Sequence, residues 1–173
     1  SILAVNKDSL ERVLVKNPMI KSAQVYYSLD GYIHVNIQQR EPVLRVLTGE
    51  GYYVDRAGRV MPLSSKFTSR VVVATGDINK KFACEKLGPF AMKLKNEPFW
   101  DAYIEQLVVR SNEDVVMIPK VGDFRIVLGK VDDCDARLEK LILFLKDGIT
   151  KKGWNRYKEI NLKFDNQVVC VRK

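Results

Sequence analysis

The sequence predicts an α+β protein. Helical stripes and alternating strand patterns are interleaved, without the strand–helix–strand regularity of a parallel α/β fold. Leu138, Leu141, Ile142 and Leu145 repeat at helical spacing. Ala23, Val25 and Tyr27 alternate, and so do Ile33, Val35 and Ile37 beyond Asp30-Gly31, which together read as a β-hairpin. The 173 residues, 46% apolar and 29% charged, have a globular composition and can build a core without disulfides or metal. There is no internal repeat and no low-complexity tract.

Each element follows from local pattern. Asp8, with Glu11 three residues on, reads as a capping box for a short helix carrying Leu10, Val13 and Leu14. Asn17-Pro18 stops it. The hairpin follows, and Glu41-Pro42 breaks strand pairing. Val43 to Leu47 reads as a strand. Tyr52 to Val54 and Arg59 to Met61 flank the turn Asp55-Arg-Ala-Gly58. Val71 to Ala74 is a short buried strand. Residues 79–96 read as helix interrupted at Gly88-Pro89, with Phe82, Leu87, Phe90, Met92 and Leu94 facing the core. Residues 102–110 are a strand, and Val115 to Ile118 with Phe124 to Leu128 form a second hairpin. Asp132 or Asp133 starts the clearest helix, and Gly148 ends it. Ile160, Leu162 and Phe164 alternate, Asp165-Asn166 turns, and Gln167 to Arg172 returns as the last strand.

Charge and special residues exclude more than they suggest. The net charge of +8 favours anionic surfaces, yet the basic residues are scattered and form no arm or stacking platform. Cys84, Cys134 and Cys170 contain no C-x-x-C, and Cys170 in its apolar run reads as an inert buried thiol. One disulfide with one free thiol stays open in an oxidising compartment. His34 lies mid-strand on the polar face beside Asn36, a solvent-facing position. No Ser-His-Asp set is possible without it, and there is no G-x-S-x-G, H-E-x-x-H or phosphate loop. Asp132, Asp133 and Asp135 read as helix N-terminal charges. Asp101/Glu105 and Glu113/Asp114 are the only obvious carboxylate pairs. The expectation is no catalytic, metal or cofactor site. No stretch is long and apolar enough to span a bilayer. Because the chain opens on Ser1, it is read as a segment of a longer protein.

Three segments together resemble a known family. Leu14 to Val46, with "NP-x-I-x-x-A-x-V" and a hairpin closing in "Q-R-x-P-V", is similar to the end of a POTRA module of the bacterial FtsQ/DivIB cell-division family. Tyr52 to Leu63 resembles that family's "V/I-D-x-x-G" hairpin. Phe124 to Gly148, followed by Tyr157 to Val171, resembles its "x-L-G … K-L-x-x-L" helix and closing "I-D-L-R-Y-x-x-x-V" strand pair. The resemblance implies residues 1–47 as the C-terminal part of a POTRA module and 48–173 as an FtsQ-type β domain of antiparallel strands. It also implies a missing cytoplasmic tail, single membrane helix, and first strand and helix of the module. The parent would be a single-pass protein of the cytoplasmic (inner) membrane, with this region on the periplasmic side. It would be a non-enzymatic scaffold that binds small bitopic coiled-coil proteins of the FtsB/FtsL type and acts indirectly on the septal peptidoglycan synthase.

The family's partner contact, carried onto this chain, implicates Lys163, Phe164, Gln167, Val168, Val169, Cys170, Val171 and Arg172. Gln167 to Val171 is β-prone and free of proline, and a terminal strand often lies at a sheet edge, where it can template a partner strand. Lys163 replaces the family's arginine and gives a point charge instead of a fork. Asn161 stands where aspartate is usual. Phe164 keeps an aromatic surface without the hydroxyl, and its alternation with Ile160 and Leu162 leaves core and contact both open. Two other function classes fit fewer residues: a POTRA-type module for outer-membrane or secretion cargo, and a domain binding nucleic acid or another anionic polymer.

Overall fold

The computed structural model describes residues 6–65, 68–146 and 156–173. It begins with α1 (Lys7–Val15), packed on the antiparallel pair β1 (Ile20–Tyr27) and β2 (Ile33–Gln39). Asn6 caps the helix, its side-chain oxygen accepting from the Ser9 amide at 3.1 Å. The cap therefore lies before Asp8, which occupies the first turn and complements the helix dipole. Glu11 does not reach back as a capping-box residue; its carboxylate accepts from the Val25 amide at 2.7 Å and tethers α1 to β1. Residues 28–32 form the hairpin loop, longer than the two-residue turn expected at Asp30-Gly31, because Tyr27 and Ile33 are the last paired residues. Ala23 and Val25 are buried, whereas Ile33, Val35 and Ile37 of the same face stay 36–46% exposed.

The larger unit is a nine-stranded sheet in the order β11-β10-β9-β8-β7-β6-β3-β4-β5. Its strands are β3 (Pro42–Val46), β4 (Tyr52–Asp55), β5 (Val60–Pro62), β6 (Val72–Gly76), β7 (Ile104–Arg110), β8 (Asp114–Pro119), β9 (Arg125–Gly129), β10 (Tyr157–Asn161) and β11 (Val169–Arg172). Fold class α+β stands. The sheet is mixed, however, with β3–β6, β6–β7 and β9–β10 parallel. Helical connections account for two of these pairs: a helix between strands returns the chain to the end it left, so the next strand runs the same way. β3, placed by the sequence reading in the first unit, pairs with β4 and β6 of this sheet.

Helices cover one face. α2 (Lys80–Phe82) runs through a π-turn, Ala83–Leu87, into α3 (Gly88–Asn96), and α4 (Pro98–Tyr103) follows. Pro89 kinks nothing out of the core. It offers no amide, and the widened turn ahead of it relieves the clash with the preceding carbonyls. The sequence reading missed α4, which takes the first residues of the strand expected at 102–110. α5 (Asp135–Phe144) begins later than expected: Asp132 is engaged by Lys86 at 2.7 Å, and Asp133 adopts φ +47. Gly148, expected to end it, lies outside the described residues. Phe82, Leu87, Phe90, Leu94, Leu138 and Leu141 pack on Leu44, Leu107, Met117, Ile126, Ile160 and Leu162 to form the core.

A buried ion pair joins the two units. Arg40 lies between β2 and β3. Its amide donates to the Met19 carbonyl at 2.9 Å, and its guanidinium donates to Asp55 at 2.8 Å, with side-chain exposures of only 8% and 4%. Asp55 also accepts from the Ala57 and Arg59 amides at 2.9 and 2.8 Å, which shapes the β4–β5 turn.

Candidate partner-binding edge

β11 forms one end of the sheet. It pairs antiparallel with β10, and among the described residues no strand lies on its outer side. Registers carry the two faces across the sheet. Cys170 is opposite Ile160, so it faces the helices and is half-buried. Val169 is opposite Asn161 and Val171 opposite Glu159; both valines point to the helix-free face and are 37% and 40% exposed. By alternation from Val171, the Arg172 side chain leaves the strand on the helix-bearing face, opposite Tyr157, whose ring meets Phe144 of α5. The opposite edge, β5, is shorter and ends in Pro62, which has no amide for a ladder. β11 contains no proline.

The other expected contact residues separate. Val168 packs against the core, and Gln167 is exposed in the loop before β11. Phe164 is 46% exposed while Ile160 and Leu162 are fully buried, so the alternation does not reach it. The strand ends at Asn161, whose side-chain oxygen accepts from the Lys163 amide at 3.0 Å. Lys140 of α5 then clamps the loop, donating to the Phe164 carbonyl at 2.6 Å. Lys163 is not a free solvated cation. Its ammonium donates to Asp114 of β8 at 2.7 Å, and its stem passes so close to Gly129 that a Cβ there would meet Lys163 Cγ at 3.0 Å. Composition and alternation gave no signal for that bridge, which links residues far apart in the chain.

The remaining chemistry-bearing residues are placed as follows. His34 is exposed and stacks on Tyr26 with ring centroids 4.9 Å apart. Its Nε2 is 3.1 Å from the Ser28 hydroxyl, which also donates to Asp30. The carboxylate thus holds the serine, not the imidazole, which inverts the order a nucleophilic triad needs. Asp101 and Glu105 line a cavity of about 720 Å³ together with Val43, Leu94 and Trp100 and the basic residues Arg70, Lys95 and Lys120. Glu113 and Asp114 are engaged by Lys86 and Lys163. The three cysteines are free thiols, and burial pushes the pKa of each upward, which keeps them protonated and unreactive near neutrality. Among the described residues, no helix is long and apolar enough to cross a membrane.

The family model described as FtsQ/DivIB, C-terminal related, matches residues 41–171. The chain belongs to this family. The match spans the nine-stranded sheet from just before β3 into β11 and leaves α1 and the β1–β2 hairpin outside. Membership gives this FtsQ/DivIB-related chain a divisome-associated role in a family of non-enzymatic scaffolds, which act through protein–protein contacts. No curated protein matches the chain.

Proposed function

We propose that this chain is the extracytoplasmic part of a division scaffold that captures a small bitopic coiled-coil protein of the FtsB/FtsL type by strand addition at β11. The observation that carries this reading is the position of β11: a proline-free terminal strand at the end of the sheet, with its outer side open among the described residues. An open edge presents unpaired amides and carbonyls, which a second strand can satisfy. Val169, Cys170, Val171 and Arg172 form the docking strand. Phe164 supplies an exposed aromatic beside it, while Lys163, bonded to Asp114, and Val168, packed on the core, hold the strand pair in place.

In this reading, α1 with β1 and β2 is the C-terminal part of a POTRA module, and the domain junction lies at Arg40. An N-terminal membrane helix of the parent anchors the region on the periplasmic side of the inner membrane, and the captured partner passes control to the septal peptidoglycan synthase. The test is deletion of residues 168–173 followed by a pull-down with the strand-forming segment of such a partner. Binding is expected to disappear while the near-ultraviolet circular dichroism of the sheet persists. Undiminished binding by the folded truncation refutes strand addition.

A further inference from the structure

We propose that Arg172, rather than Lys163, sets the charge preference of the β11 edge. The incoming strand then carries apolar residues at alternate positions on the helix-free side and a carboxylate on the helix-bearing side, beside Arg172. This rests on the strand-addition reading and specifies the partner's side chains.

The argument is one of position and prior engagement. Strands are spaced about 4.8 Å apart, so a side chain on β11 is one spacing from an added strand. The Lys163 ammonium is drawn onto Asp114 of β8, which lies three strands in from the edge strand, about 14 Å from it at that spacing. An incoming carboxylate would have to displace Asp114 and travel inward to use it. On the helix-free side, Arg125 and Glu159 neutralise each other at 2.8 Å, and Lys173 is bonded to Asp123 at 2.7 Å. That side offers the partner Val169 and Val171, which are 37% and 40% exposed. Arg172 is exposed on the edge strand itself and forms no ion pair among the described residues. Arg156 and Lys158 lie on the β10 side, one spacing further back. Cross-strand pairs of opposite charge, and apolar pairs on a shared face, both stabilise an added strand.

The probes are two synthetic strand peptides with valine at alternate positions and threonine between. In one a threonine is replaced by glutamate, in the other by lysine. The intact 173-residue chain is titrated with each, and amide exchange of residues 169–172 reports strand addition. The glutamate peptide should bind the native chain up to about fivefold more tightly than the lysine peptide, the scale of one exposed ion pair. Arg172→Glu should invert that preference, and Lys163→Glu should leave it in place. If β11 gains protection but the preference ignores Arg172→Glu, or is inverted by Lys163→Glu, the inference is overturned and strand addition survives. If neither peptide protects β11, the strand-addition reading fails and takes the inference with it.

Discussion

At the residue scale, the charged pair Arg40–Asp55 matters more than any surface bridge. Both side chains are almost fully buried, at 8% and 4% exposure. Removing one member of such a pair leaves the other charge desolvated and unpaired, a cost of about 3–5 kcal/mol. Asp55→Ala is therefore expected to lower the unfolding free energy by that amount in urea, and a loss under 1 kcal/mol would mean that water reaches the site. Gly76 is a second such point. It adopts φ +105, and a Cβ would lie 2.0 Å from the Val109 carbonyl oxygen, so Gly76→Ala should cost about 3 kcal/mol or more by the same measurement. Tyr103 makes a pH prediction. Burial pushes its pKa from 10.0 up to about 12, so the folded state holds the phenolic proton more tightly than the unfolded state does. That contribution is complete below pH 10.0 and is lost as the pH rises to about 12. Stability should fall over this interval, and Tyr103→Phe should flatten the fall.

At the element scale, the two sheet edges are unequal in ways that bear on function. β5 is stopped by Pro62, and β11 is not stopped by anything comparable. The side chains of β11 divide by alternation, so Val169 and Val171 are available outside while Cys170 leans towards the core. Cys170→Pro removes an amide that points away from β10, since the Lys173 amide donates inward to the Arg156 carbonyl and alternation turns the Val171 and Val169 amides the same way. It is expected to abolish partner binding while changing the helix signal in far-ultraviolet circular dichroism very little. Retained affinity would show that the partner docks on a face and not along the edge. The α2–α3 segment shows how an interruption read from sequence becomes geometry: Gly88-Pro89 is accommodated by a π-turn, and Leu87, Phe90 and Leu94 keep their places in the core.

At the scale of the whole molecule, α1 with its hairpin and the nine-stranded sheet meet at Arg40, and the core cluster lies within the sheet unit. A chain of residues 41–173 is expected to fold and to bind a partner strand with native affinity, because β11 lies in that unit. It should be less stable by about 3 kcal/mol, since Asp55 loses its guanidinium. Loss of binding in this folded, shortened chain would show that the hairpin unit contributes to the contact.

How much of this was legible in the sequence follows from the range of the forces involved. Alternation and helical spacing sufficed for β1 and α5, because each buries a face whose period is written in adjacent residues; β2 alternates too, although all its residues are exposed. The family resemblance carried by Tyr52 to Leu63 and by the closing strands agrees with the match over residues 41–171. Pairings between residues distant in the chain left no local trace: the parallel β3–β6 contact, the Arg40–Asp55 pair and the Lys163–Asp114 bridge depend on where strands lie in the sheet. Which edge cation is engaged was likewise undecidable from composition. Lysine and arginine are both exposed in an extended chain, and only the packed sheet engages Lys163 with Asp114 while Arg172 forms no ion pair among the described residues.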